Sequence, residues 1–226
     1  MSISLHVGPQ LLQCRVVLKW RAVYYRGMGG IAAVDVTGFI LAGGKSTRMG
    51  TDKAFIEFEG HTLLERALSL ARSVTPDVRI VGAREKFAPF APVVEDIFRE
   101  RGPLGGIHAA LRSSKTELNF MLAVDMPFVS KTFLQYLISE ARNSTEATVI
   151  VPLSEGRRQP LCALYRLRFA EVAEQALLAG RNKIDSLFDA VETRVMEEDE
   201  LDRAGFSSAI FRNLNTPEQL EQQRRA

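Results

Sequence analysis

The chain has 226 residues, 46% apolar and 25% charged, with a formal net charge of +2; that length supports one substantial core in an ordinary globular composition, not a disordered or fibrous one. Its 29 basic and 27 acidic residues are interspersed, which argues against a nucleic-acid partner. No apolar run reaches the roughly 18 residues of a bilayer span, and Cys14 and Cys162 are too few for a disulfide framework or zinc site, so reduced thiols in the cytoplasm are expected.

Residues 1–35 hold neither strand alternation nor a helical stripe for long. Arg15, Lys19 and Arg21 break the apolar core a signal peptide needs. With Met28 shortly before the first convincing strand, the segment reads as an N-terminal extension, either a disordered arm or an over-long start, ahead of one domain over 36–226. From Val36, β-branched runs alternate with helical patterns: VTGFILA, TLLERALSLARS, DVRIVGA, APVVED, PLGGIHAALRSS, LNFMLAVD, SKTFLQYLISEAR and ATVIVPL. That alternation predicts right-handed βαβ units around a mostly parallel sheet covered on both faces, an α/β fold.

Thr62 and Glu65 form a capping box, and Ser130 opens a helix whose Phe133, Leu134, Leu137, Ile138 and Ala141 share a core face. The segment VPLSEGRRQPLCALYR predicts two strands joined by a polar turn, an antiparallel hairpin added late to the sheet. After it come a helix ended by Gly180, a strand in AVETRVMEE, and a last helix with Thr216 as N-cap and Pro217 in its first turn.

The stretch FILAGGKSTRMGTDK, Phe39 to Lys53, follows the first strand. A P-loop needs glycine where Phe39 stands, and Gly43, Gly44 and Gly50 lack the dinucleotide-binding spacing. What remains is a strand end running into two glycines, whose bare backbone can approach a ligand and form an anion nest, with Arg48 and Lys53 adding cations. The plainer alternative is a glycine-rich turn with solvated basic residues. Asp125 closes the strand Phe120–Val124, a place that suits a Mg²⁺ ligand or a helix cap equally. The turn Gly102–Gly106 and Asp96 follow another strand and read as crevice residues, or as packing glycines and a surface acid. His61 and His108 have no partners at zinc spacing, and no activated nucleophile is apparent.

Together, LAGGKSTRMGTDK (41–53), VVEDIFRERGPLGGI (93–107), VDMPF (124–128) and NLNTPEQL (213–220) closely resemble the molybdenum cofactor guanylyltransferases, within the nucleotidyltransferases. The resemblance covers about Val36 to Leu220. It implies a Rossmann-like three-layer sandwich, with residues 36–226 as a magnesium-dependent nucleotidyltransferase domain. The implied reaction transfers GMP from GTP to molybdenum-molybdopterin and releases pyrophosphate. Leu41, Ala42, Gly43 and Gly44 would contact the nucleotide, Arg48 and Lys53 the triphosphate, Asp96 would belong to the GTP site, and Asp125 would ligate Mg²⁺. Family members often carry Asn where Gly82 aligns, so that side-chain contact is missing or moved. The Gly102–Gly106 turn would lie beside guanine, and Arg157 with Arg158 would face the pterin phosphate. Transient contact with molybdoenzymes or their chaperones is a further expectation. Rival readings are a CTP-dependent sibling, a sugar- or polyol-phosphate nucleotidyltransferase, and a non-catalytic binding or adaptor domain. Adjacent Gly43 and Gly44 favour guanine, since the cytidine relatives usually read Leu-Ala-Ala-Gly there.

Overall fold

A computed structural model describes residues 36–43 and 52–214. The expected N-terminal extension, Gly44, Arg48 and the helix at Thr216 lie outside them. The central sheet among the described residues has eight strands in the order β10-β7-β9-β6-β1-β4-β5, with β8 beside β7. Strand β1 (Val36–Leu41) lies between β4 (Val78–Val81) and β6 (Leu118–Ala123), parallel to both, and β5 (Val93–Val94) extends the parallel part beyond β4. This is a Rossmann-like α/β architecture with an antiparallel portion.

The expected late antiparallel hairpin is present, β7 pairing with β9 across a turn that carries β8. The turn after β7 (Val149–Ser154) leads only into the two-residue β8 (Arg157–Arg158). Strand β9 (Cys162–Arg166) then returns between β6 and β7, antiparallel to both. All five of its residues are buried, the first four of them Cys162, Ala163, Leu164 and Tyr165, as befits a strand covered on both faces. The last strand, β10 (Thr193–Met196), joins β7 in parallel at the sheet's edge.

Side chains alternate across the sheet. Phe39 and Met121 enter one core layer with Leu104, Ile107 and Leu111 of α3 (Pro103–Ser113) and Phe169, Ala173 and Leu177 of α5 (Phe169–Leu178). Ile40, Phe120 and Leu122 therefore face the opposite layer, beneath α1 (Leu63–Arg72) and α4 (Lys131–Asn143), and all three are buried. The caps form as predicted. Thr62 and Glu65 close a reciprocal capping box on α1, and Ser130 Oγ accepts from the Phe133 amide at 3.2 Å on α4. A two-stranded ribbon, β2 (Glu57–Phe58) with β3 (His61–Thr62), follows a 3-10 turn at Lys53–Phe55.

Candidate active site at the carboxyl ends of the parallel strands

Register makes the site. Leu41 is level with Val81 on one side and Ala123 on the other, and Val81 is level with Val94. The residues just beyond those strand ends emerge in one row, in order Asp96, Gly82, Gly43 and Asp125, at the edge where open α/β sheets bind ligands. The backbone ladder continues past the strands: Gly82 N donates to Val94 O at 3.0 Å, Ala42 N to Val81 O at 3.0 Å, and Val124 N to Leu41 O at 3.2 Å.

The two glycines of the row are neighbours. A Cβ on Gly43 would stand 3.7 Å from Gly82 Cα, ordinary contact, but one on Gly82 would stand 2.7 Å from the ring of Phe87. Gly82 is thus required by the phenylalanine of α2 (Arg84–Phe87), and no side chain fits there while that ring stays in place. An asparagine at this position, as the resemblance led one to expect, would meet that ring.

Lys53 arrives from the chain segment after the glycine loop. Asp52 caps its 3-10 turn, with Oδ1 accepting from the Ala54 amide at 3.1 Å. The turn points the Lys53 ammonium inward, where Nζ donates to Asp125 Oδ2 at 3.3 Å. Their side chains are 30% and 18% exposed, so the attraction is screened less than at an open surface. Asp125 is held from behind as well, since its carbonyl accepts from the Leu214 amide at 2.8 Å.

Asp96 occupies the other end of the row, half-buried against the first turn of α3. Oδ1 lies 3.5 Å from where a Cβ on Gly106 would stand, and a Cβ on Gly105 would lie 2.9 Å from the Phe98 carbonyl oxygen. Bare backbone at the start of this 11-residue helix therefore packs directly on the Asp96–Phe98 segment. Burial pushes the Asp96 carboxyl above its usual range, while the helix start it faces favours the charged form. The Arg158 guanidinium donates to Asp189 Oδ1 at 3.2 Å and lies 5.6 Å from the Phe188 ring centroid.

Three contributors escaped the sequence reading. Asp52 has an N-cap residue type immediately before the turn, a signal that was available. Leu214 reaches Asp125 through its backbone amide, a contact no local pattern announces. Phe87 reaches the site only because its helix packs under Gly82. His61 lies in β3, and His108 is buried in α3 at 1% exposure, with neither ring nitrogen hydrogen-bonded. Among the described residues no group of three or more His, Cys, Asp or Glu side chains is poised to hold a metal.

A parallel sheet whose strand ends gather bare backbone, a lysine and two carboxylates can seat a phosphate-bearing ligand. The MobA-like NTP transferase domain family matches residues 38–198, and the chain belongs to that family. A molybdenum cofactor guanylyltransferase of Desulfosudis oleivorans is 35% identical over 189 residues, which are 82% of this chain and 93% of the relative. A probable molybdenum cofactor guanylyltransferase of Clostridium perfringens is 32% identical over 80% of this chain and 92% of its own length. Among solved structures, molybdopterin-guanine dinucleotide biosynthesis protein A from Archaeoglobus fulgidus superposes with a TM-score of 0.70 at 27% identity, covering 82% of this chain and 95% of that one.

Proposed function

We propose that the chain transfers GMP from GTP to molybdenum-molybdopterin, forming the guanine dinucleotide of the cofactor and releasing pyrophosphate. The observation that carries this reading is the Lys53–Asp125 pair beside Gly43 and Gly82, in a chain whose similar relatives are named guanylyltransferases. An oxygen of the acceptor's terminal phosphate attacks the α-phosphorus of GTP. A new P–O bond forms as the bond to the β-phosphate oxygen breaks, and pyrophosphate leaves with that electron pair. No protein nucleophile takes part.

The protein's work is then to align two polyanions and offset their repulsion. Leu41, Ala42, Gly43 and Gly44 offer backbone to the nucleotide, while Lys53 and Arg48 turn to the triphosphate. Asp96 and the bare first turn of α3 serve the nucleoside end, where a half-buried carboxylate can accept from a base or ribose donor. Mg²⁺ fits this site on its chemistry, because that ion is commonly held by one or two carboxylates plus substrate phosphates and Asp125 supplies one at the strand ends. When bound, Mg²⁺ would offset charge on the phosphate oxygens. As Lys53 moves to phosphate, Asp125 Oδ2 is released from its present partner.

Purified protein given GTP, CTP or ATP with Mg²⁺ and molybdopterin tests the reading. Pyrophosphate release fastest with GTP and dependent on the acceptor supports it. Preference for CTP assigns the cytidine reaction instead, and no release with any nucleotide favours a non-catalytic domain.

A further inference from the structure

We infer that Lys86 is a positioning residue for Lys53, acting through the turn that carries it. This rests on the reading of Lys53 as a ligand of the nucleotide's phosphates. Both oxygens of the Asp52 carboxylate are in use: Oδ1 caps the Lys53–Phe55 turn through the Ala54 amide at 3.1 Å, and Oδ2 accepts from Lys86 Nζ at 3.0 Å. One carboxylate thus joins the turn that aims Lys53 to helix α2.

A second contact fixes the same two pieces. The Phe55 ring stacks on Phe87 with centroids 5.9 Å apart and planes 24° from parallel, and Phe90 closes on Phe55 at 5.9 Å. Phe87 in turn presses on Gly82 at the end of β4, so the stack is seated on the sheet itself. The far side of α2 is anchored to β5, where Arg84 Nη2 donates to Val93 O at 3.1 Å and Nε to Glu95 Oε2 at 3.3 Å. A four-residue helix has little stability of its own. Here it is a strut between β5 and the lysine turn, with Lys86 its polar fastening and Phe87 its apolar one. The consequence for chemistry is entropic, because an ammonium on an unfastened turn must be ordered each time substrate binds.

The test uses the full chain with Lys86→Ala, Lys86→Arg, Lys53→Met and the double variant Lys53→Met/Lys86→Ala. Two readouts are taken: KM and kcat for GTP, and the rate of Lys53 acetylation by acetic anhydride, followed by peptide mass. Lys86 is exposed, so its removal leaves the core intact. Lys86→Ala should raise KM by about two- to five-fold, the scale of an exposed ion pair, with kcat changed less. It should also speed Lys53 acetylation by a similar factor, and Lys86→Arg should restore both. In the Lys53→Met background, Lys86→Ala should add nothing to KM. The same added factor in both backgrounds, or no change in KM and acetylation, overturns the inference. If the unmodified protein turns over no nucleotide, the proposed function fails, and the acetylation rates still decide whether Lys86 positions Lys53.

Discussion

Lys53 Nζ lies 3.3 Å from Asp125 Oδ2 although 72 residues separate the two in the chain. The level ends of β1 and β6 set the carboxylate, and a capped 3-10 turn sets the ammonium. If Lys53 leaves that partner for phosphate oxygens, Lys53→Met should weaken GTP binding by about 10- to 100-fold, the loss of one charge-assisted hydrogen bond. Lys53→Arg should restore only part, since the planar guanidinium is not a compact ammonium. Isothermal titration with GTP and Mg²⁺ measures both.

Gly82 and Phe87 form a steric pair, with 2.7 Å between the ring and the place a Cβ would take. Gly82→Ala should therefore cost about 1–3 kcal/mol by overpacking. In the double variant Gly82→Ala/Phe87→Leu the loss should be smaller than the sum of the single losses. Urea denaturation of the four proteins checks both statements.

Much of the scaffold was legible in the sequence. β-branched runs alternating with capped helices pointed to a mostly parallel sheet, and Thr62, Glu65 and Ser130 cap the helices they were assigned to. The antiparallel pairing of β7 with β9 was legible as a hairpin, but the insertion of β9 beside β6 was not, because a turn after β7 says nothing about which other strand the return partner will meet. The near-continuous apolar run from Leu161 to Tyr165 was the available cue. Two-residue strands such as β2, β3 and β8, and the four-residue α2, are too short for a period to show. In the site, Asp125 and Lys53 stood out as residues, but their pairing depends on register across the sheet, and the Leu214 amide at the Asp125 carbonyl is tertiary throughout.

The interposed β9 has a chemical signature. Cys162 lies within it at 0% exposure, and burial pushes its thiol up to about 12. Thiolate is the reactive form, so Cys162 should resist iodoacetamide at neutral pH in the native protein and react on unfolding. Peptide mapping of the alkylated protein reads this directly, and ready native labelling at Cys162 would place β9 elsewhere.

His108, expected on a helix face, is buried because α3 is apolar on all sides from Leu104 to Leu111. Burial lowers its pKa, opposed by Glu174, whose Oε2 lies 4.0 Å from Nε2, and reinforced by Arg112. A folded-state value below the unfolded 6.5 means the unfolded chain binds more protons there. This contribution to stability is therefore complete above that pH and is lost as pH falls through the window beneath it, by up to about 1.4 kcal/mol per pH unit. Melting temperatures from pH 7.5 down to 5.5 should fall less in His108→Leu than in the unmodified protein.

The central claim is that the paired groups at 53 and 125 form the reacting centre. The direct measurement is pyrophosphate release by Asp125→Asn across a Mg²⁺ titration, with circular dichroism confirming an unchanged fold. Turnover should fall by about 10²- to 10³-fold, as when one preorganised electrostatic element is removed. Near-normal turnover at every Mg²⁺ concentration would contradict that claim.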